Sequence, residues 1–360
     1  MGTPHEAHPD VPADGAHAEA PIPAARCRAD RGPLRRATGH AVTALAVLVV
    51  ALLAVLSALR WIDTPTPTWL PTLQALVPAA LPPALVVLLV AARTRRRVIA
   101  VAAGAVAAVH LVLGAPWWIP GEHVADEEGG DPLVVVASNV QFGFSFPDIQ
   151  LLVDEVRTRD ADVLLLIEAA PGTEEVARAA GIGRHLPHAM GVPRPDAGGA
   201  FIFSRYPLTT DGVPELPVTR YALPTAVVRA PQGDVMVMAV HTVAPLAADA
   251  VVWHRELTSL ASWAAVAPTS RPLVLAGDFN ASSDHPAFRR FAAAGLYDAQ
   301  REVGRGRRRT WPERAGPLVP PFVDLDHILL RGMDVGGFDR FPVPGTDHYA
   351  VSAELVPGDG

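Results

Sequence analysis

Two kinds of hydrophobic patterning divide this chain. Up to Trp118 the apolar residues come in long stretches, and from Pro132 they come in short runs. Ala41 to Leu59 carries no charged residue. As a helix it would be about 28 Å long, enough to cross a bilayer core. Leu73 to Ala92 is a second candidate span, interrupted by Pro78, Pro82 and Pro83; membrane helices tolerate proline better than water-exposed ones do. Val98 to Trp118 is a third, and it closes on Trp117 and Trp118, residues that favour the membrane–water interface. A buried helical hairpin of a soluble protein is the competing reading.

From Pro132 the pattern changes to strands alternating with helices. Leu133 to Ala137 and Val163 to Ile167 are continuous apolar runs suited to strands buried on both faces. Shorter strands are expected at Ala200–Phe203, Ala226–Ala230 and Val235–Val240. Leu273–Ala276 is the next, ending in a tight turn at Gly277, and Val323–Leu329 and Tyr349–Leu355 close the sheets. Pro147 opens a helix whose Ile149, Leu152, Val153 and Val156 share one face. A second helix is expected from about Asp249 to Val266. This mixture implies one α/β domain over residues 132–356, with no internal repeat.

Composition and charge refine this division. Of 360 residues, 50% are hydrophobic and 19% charged, which is apolar for a soluble enzyme. One cysteine, Cys27, excludes a disulfide framework within the chain. A net charge of -7 does not suggest a general nucleic-acid binder. Residues 1–39 read as a disordered tail whose end is basic, with Arg26, Arg28, Arg31, Arg35 and Arg36. Scattered histidines there (His5, His8, His17) carry no assigned role. Residues 40–119 form the expected three-helix transmembrane anchor. Arg93, Arg95, Arg96 and Arg97 lie between the second and third spans, and Glu122, Asp126, Glu127, Glu128 and Asp131 make residues 120–131 an acidic linker. The positive-inside rule then puts the tail in the cytoplasm and everything after Trp118 outside.

Polar residues of the α/β domain share one placement. Asn139 follows LVVVAS, Glu168 follows VLLLI, His241 follows VMVMAV, and Asp278 and Asn280 follow LVLAG. Asp326 and His327 interrupt FVDLDHILL, and Asp347 and His348 precede the last strand. Singly, Asp278 and Asn280 read equally well as turn caps. Together the set suits metal-assisted attack of water on phosphorus, with no nucleophilic cysteine or serine elbow in sight. Hard carboxylates such as Glu168 suit Mg²⁺ or Mn²⁺. Amide and imidazole donors can neutralise charge on phosphoryl oxygens. Zinc is the weaker choice, lacking a closely spaced His/Cys cluster.

In order, Asn139, Leu165-Leu-Ile-Glu168, Phe203-Ser-Arg-Tyr-Pro-Leu208, His241, Gly277-Asp-Phe-Asn280, Leu325-Asp-His327 and Thr346-Asp-His348 resemble the motifs of the endonuclease/exonuclease/phosphatase (DNase I-like) superfamily. The resemblance implies a four-layer sandwich of two mixed β-sheets flanked by helices. By the same resemblance Glu168 is the principal metal ligand, Asn139 helps position metal or phosphate, and Asp347 sits beside the metal. Asp278 would orient or deprotonate water, Asn280 would hold phosphate, and Asp326 would orient His348 against the phosphate. His241 would bind another phosphate oxygen or assist the leaving group, and Arg205 falls in the motif as a substrate-binding residue. Departures are Ile167 where many members have Gln, Thr346 where Ser is commoner, and Asp324 where Arg is frequent. Three amino-terminal spans before such a domain look like the VanJ-like, teicoplanin-resistance subgroup.

These readings lead to a membrane-anchored, Mg²⁺-dependent phosphohydrolase at the outer face, acting on a phospholipid or polyprenyl pyrophosphate. An outer-face nuclease and a non-catalytic envelope-binding protein are the alternatives. Arg301, Arg305, Arg307, Arg308, Arg309 and Arg314 surround Trp311. They read either as a collector of anionic headgroups or nucleic acid or as a solvated basic loop.

Overall fold

A computed structural model describes residues 32–126, 130–141, 146–314, 316 and 319–358. The tail before residue 32, with its histidines and first arginines, lies outside the described residues, as do Glu127 and Glu128. The chain divides into two compact units, Met1–Leu45 and Ala46–Gly360. Of the first, a helical segment is described, in which Thr43 donates to the Gly39 carbonyl. All that follows concerns the second unit, apart from the helix α1 (Gly32–Leu59), which begins in the first.

Among the described residues, two helices are long and apolar enough to cross a membrane, Thr38–Leu59 and Arg97–Trp118, where three spans were expected. The expected second span is broken into α2 (Leu70–Ala75), a 3₁₀ turn at Val77–Ala80 and α3 (Leu81–Arg93). Prolines stand at the first or second position of each piece. There a missing N–H costs nothing, whereas inside a longer helix it would remove a hydrogen bond. The helix α4 (Arg97–Gly114) returns against α3. Their contact is built from small side chains: Ala84, Ala91, Ala103 and Ala107 are buried, with Val50, Ile99 and Val106. Leu52, Leu89, Val98, Val101 and Val112 face outward. Small residues inside and large apolar ones outside is the reverse of a water-soluble bundle.

The strands follow in order as β1 (Leu133–Asn139), β2 (Val163–Ile167), β3 (His188–Val192), β4 (Ala200–Ser204), β5 (Leu208–Thr209) and β6 (Thr225–Ala230). Then come β7 (Gly233–His241), β8 (Leu273–Asp278), β9 (Tyr297–Asp298), β10 (Asp326–Arg331), β11 (Met333–Pro342) and β12 (Tyr349–Pro357). One sheet runs β11-β12-β1-β2-β4-β3, the other β5-β6-β7-β8-β10-β9. Each has one parallel pair at its centre, β1–β2 and β7–β8, flanked by antiparallel strands. Read from the β3 and β5 edges inward, the two sheets have the same sequence of pairings. No sequence repeat announces this equivalence.

Alternation explains the continuous apolar runs. Leu133, Val135 and Ala137 pack into the core between the sheets, against Val237, Ala239, Val274 and Ala276. Val136 turns the other way, under α5 (Phe146–Thr158), whose Ile149, Leu152, Val153 and Val156 are buried there. A short α6 (Thr173–Ala179) shares that face. On the outer side of the second sheet, α7 (Ala250–Val266) and α8 (Pro286–Ala293) cover Met236, Met238 and Leu275. Four layers result, and α9 (Ala299–Glu302) closes the edge beside β9.

Three local expectations change. Gly277 does not turn the chain; it stays in β8, paired with Val240 and His327. Its φ is 140°, and an added Cβ would lie 2.2 Å from the Val240 carbonyl oxygen, so only glycine fits. The strand expected at Val323–Leu329 begins at Asp326, because Val323 instead bridges to Trp311. The acidic linker does not run free: Gly121 and His123 donate to Glu302, and Ala125 donates to the Val335 carbonyl on β11.

Candidate active site

The two parallel pairs end side by side, and the polar residues stand at those ends. Asn139 is the last residue of β1, Glu168 follows β2, His241 ends β7 and Asp278 ends β8. Asp326 opens β10 opposite Asp278, and His348 sits just before β12. Strands anchored on both faces leave side chains free to meet only at their ends. Glu168 and Asn280 adopt left-handed backbone, φ 60° and 47°, a conformation uncommon outside glycine and frequent at functional sites.

Asn139 ties the two sheets together. Its Nδ2 donates to Glu168 Oε1 and to Asp278 Oδ2, both at 3.0 Å. Its oxygen accepts from the Gln141 N–H at 3.0 Å, which fixes the amide's orientation. Asn139 therefore presents donors to the carboxylates, and not the carbonyl oxygen a metal would take.

His241 is buried, and its Nδ1 lies 2.8 Å from the Ala197 carbonyl, to which it donates. Burial pushes its pKa down to about 4. The neutral ring has one proton, already used, so Nε2 carries a lone pair. That atom lies 3.7 Å from Glu168 Oε1 and 3.9 Å from Asp278 Oδ2. This arrangement suits acceptance or ligation at Nε2 rather than the expected donation to phosphate. Tyr221 stacks on the ring at 4.5 Å.

His348 is the opposite case. Burial works against its charge, but Asp326, Asp278 and Asp347 outweigh it and raise the pKa to about 10. Nδ1 donates to Asp326 Oδ2 at 2.9 Å, leaving Nε2–H 3.8 Å from Asp278 Oδ2. Asp278 is raised to about 7, chiefly by burial and in part by Asp326, against His348. Burial also raises Glu168, opposed by its bond from Asn139. One imidazole is thus neutral and one cationic, on either side of a carboxylate that titrates near neutrality.

Among the described residues, two overlapping groups could hold a metal ion: Glu168, His241 and Asp278, and Asp278, Asp326 and His348. The first fits better, because a protonated His348 cannot ligate a cation. Its desolvated carboxylates match the hard-oxygen preference of magnesium or manganese. Asp347 stands at the rim and is 35% exposed; its Oδ2 accepts from Trp311 Nε1 at 3.0 Å, and its charge acts on Glu168.

Asn280 is partly committed: one Nδ2 hydrogen goes to the Thr242 carbonyl at 2.9 Å, and its backbone N–H to Asp278 Oδ1. Arg205 is not part of the cluster and does not take the substrate-binding place expected of it. Because β4 is antiparallel to β2, Ala200 lies at the Ile167 end and Ser204 at the Val163 end. Arg205 therefore sits a full strand length away, roughly 16 Å, where it pairs with Asp160 and Asp162. His327 also points away, between Asp298 at 2.7 Å and the Ala281 carbonyl.

Reading the sequence missed four contributors: Tyr221, Thr310, Trp311 and the Ala197 carbonyl. Thr310 Oγ1 accepts the backbone N–H of Leu325 and of Asp326, which sets the start of β10. Their signal is long-range, and no local spacing carries it. The arginines around Trp311 do not act as one surface. Arg307 pairs with Asp284, Arg308 with Asp339 and Arg314 with Glu313.

A four-layer sandwich with buried carboxylates, an amide and imidazoles at the ends of its parallel pairs defines the sandwich-type phosphoesterases. A family model described as "Endonuclease/Exonuclease/phosphatase family" matches residues 136–348, and this chain belongs to that family. No curated protein matches the sequence. Among solved structures, humanized D. rerio TDP2 superimposes with a TM-score of 0.52 at 16% identity, over 63% of this chain and 99% of that one. D. rerio TDP2 complexed with single strand DNA product gives 0.50 at 17%, over 63% and 99%. TDP2 from Caenorhabditis elegans gives 0.51 at 13%, over 65% and 76%. At such identities the likeness is one of fold.

Proposed function

We propose that this chain is a membrane-anchored, divalent-metal-dependent phosphohydrolase that cleaves a phosphate ester or pyrophosphate bond outside the cell, on a lipid-linked substrate. The observation that carries the reading is a join between the site's loop and the helix ends. Beyond Asn280, Asp284 pairs with Arg60 and His285 Nε2 donates to the Pro71 carbonyl at 2.9 Å. Arg60 directly follows α1, and Pro71 lies in the first turn of α2. A substrate whose head reaches Asp278 would thus approach from the level where the apolar helices end. Residues 1–39 as a cytoplasmic tail, 40–119 as anchor and 132–356 as catalytic domain belong to this reading. Val77–Arg93 (about 25 Å as a helix) would serve as a short return crossing. Arg93, Arg95, Arg96 and Arg97 at its turn support a cytoplasmic position there. This architecture supports membership of the VanJ-like subgroup and a link to glycopeptide resistance.

In the mechanism, Asp278 Oδ2 takes a proton from the attacking water, a task suited to a carboxylate that titrates near neutrality. Asn139 holds Asp278 and Glu168 in place. His348 Nε2–H, kept charged by Asp326, neutralises a phosphoryl oxygen as negative charge builds. Glu168 and His241 Nε2 are the residues that would hold Mg²⁺ or Mn²⁺, which leaves Asp278 as the base. Such an ion, when bound, supplies Lewis-acid shielding of phosphate charge.

Purified full-length protein in detergent with Mg²⁺ should release phosphate from a polyprenyl pyrophosphate or phospholipid, and EDTA should stop it. Plasmid nicking without lipid turnover would overturn this reading in favour of an outer-face nuclease. A cellular phenotype that survives both Glu168→Ala and Asp278→Ala would show a non-catalytic binding role.

A further inference from the structure

A cleft that shares no lining residue with the catalytic cluster lies where the apolar helices meet the α/β domain. Its volume is about 320 Å³. One wall is apolar and comes from helix ends, including Leu81, Leu113, Trp117 and Trp118; the other is charged, with Asp284, Arg307 and Arg309. The charges do not balance. Among the described residues Arg60 feels Arg289 and Arg307, and Arg309 feels Arg307; Asp284 and Asp324 oppose this group, and Asp63 opposes Arg289, four cations against three carboxylates. Nearby Asp63 is taken by Arg290 and His254.

Arg309 is the informative residue. Among the described residues it makes no hydrogen bond and no ion pair, and its Nε is buried without a partner. It feels Asp324 only at a distance. A half-buried guanidinium without a contacting anion is costly unless something supplies one. Arg307 is held in place, stacked on Trp117 at 4.5 Å and bonded to Asp284 and Ser283.

We propose that this cleft binds the phosphate head of a membrane amphiphile, the phosphate on Arg309 and Arg307 and the hydrocarbon along the apolar wall. Guanidinium forks match phosphate geometry, and the paired tryptophans put the cleft at headgroup depth. The cleft also joins the catalytic centre through the chain. Arg309 precedes Thr310, which sets Asp326, and Trp311, which holds Asp347. Asp284 lies in the loop that leaves Asp278 and Asn280. The site therefore seats a lipid phosphate on segments that run directly into the hydrolytic centre, and the membrane placement rests on the function proposed above.

Binding to full-length protein carrying Asp278→Asn tests this without turnover. Native mass spectrometry in detergent would compare phosphatidic acid, diacylglycerol with the same chains, and inorganic phosphate, with and without Arg309→Gln. Phosphatidic acid should bind well above diacylglycerol, and Arg309→Gln should weaken it at least about tenfold, the loss of one charged hydrogen bond. Arg309→Lys should recover part of that binding, which distinguishes a charge effect from misfolding. Equal binding to Arg309 and Arg309→Gln proteins would overturn the proposal. Inorganic phosphate that competes as well as phosphatidic acid would reduce the cleft to an anion site and overturn the lipid assignment. Lipid hydrolysis by the wild type, measured separately, decides the function proposed above whichever way the binding falls.

Discussion

Asp326 opens β10 of one sheet and His348 immediately precedes β12 of the other, yet Oδ2 and Nδ1 meet at 2.9 Å inside the protein. This pair closes the centre across the sandwich, and it keeps cationic the imidazole that faces Asp278. Activity should therefore fall as His348 loses its proton through about pH 10. Asp326→Asn removes the main group that raises His348, so the alkaline limb should move to lower pH. A fall in kcat of about 10²- to 10⁴-fold is expected, the range for a misplaced acid–base group. A pH–rate profile of the variant with an unmoved alkaline limb would contradict this account.

Arg205 supplies the opposite test. It pairs with Asp162, whose side chain is only 4% exposed, at the far end of β4 from the site. Arg205→Gln should leave kcat and KM for a soluble phosphodiester as in the wild type. Stability should drop by about 1–3 kcal/mol, because a buried carboxylate loses its partner. Urea unfolding and steady-state kinetics on the same preparation separate the two effects.

How far the sequence disclosed this molecule varies with the range of the interaction. The centre was legible because each member ends or opens a strand, so Asn139, Glu168, His241 and Asp278 stood out at the edges of apolar runs. What the residues in order could not reveal was strand direction. Arg205 looked equivalent to the others until the antiparallel pairing of β4 carried it to the opposite end. Edge strand β11 went unseen, since Gly336, Gly337 and the half-buried Asp334, Asp339 and Arg340 break the apolar alternation. In the anchor the prolines were visible, but their effect was underestimated: they end pieces of helix rather than kink one.

His327 should make stability depend on pH although it takes no part in the chemistry. Burial opposes its charge, but Asp298 outweighs that and raises it to about 9, above the ordinary value of 6.5. A group raised in the folded state contributes fully below its unfolded pKa and loses that contribution through its folded one. The stability difference between wild type and His327→Gln should thus be largest below about pH 6.5 and shrink towards pH 9. Thermal unfolding of both proteins across that interval checks the direction, and a gap that widens with pH would refute it.

Gly277 holds Asp278 in register, and its replacement should reach both stability and catalysis. With φ at 140° and the Val240 carbonyl 2.2 Å from where a Cβ would stand, Gly277→Ala must push β7 and β8 apart. Overpacking costs about 1–3 kcal/mol, and the unfavourable backbone conformation adds to that. The same displacement would move Asp278 relative to His241, its partner across the parallel pair. Unlike Arg205→Gln, then, Gly277→Ala should lower kcat together with stability, and second-site recovery of stability alone should not restore the rate. Kinetics measured well below the variant's unfolding midpoint would show this, and full activity there would mean that the close approach of β7 and β8 serves only the fold.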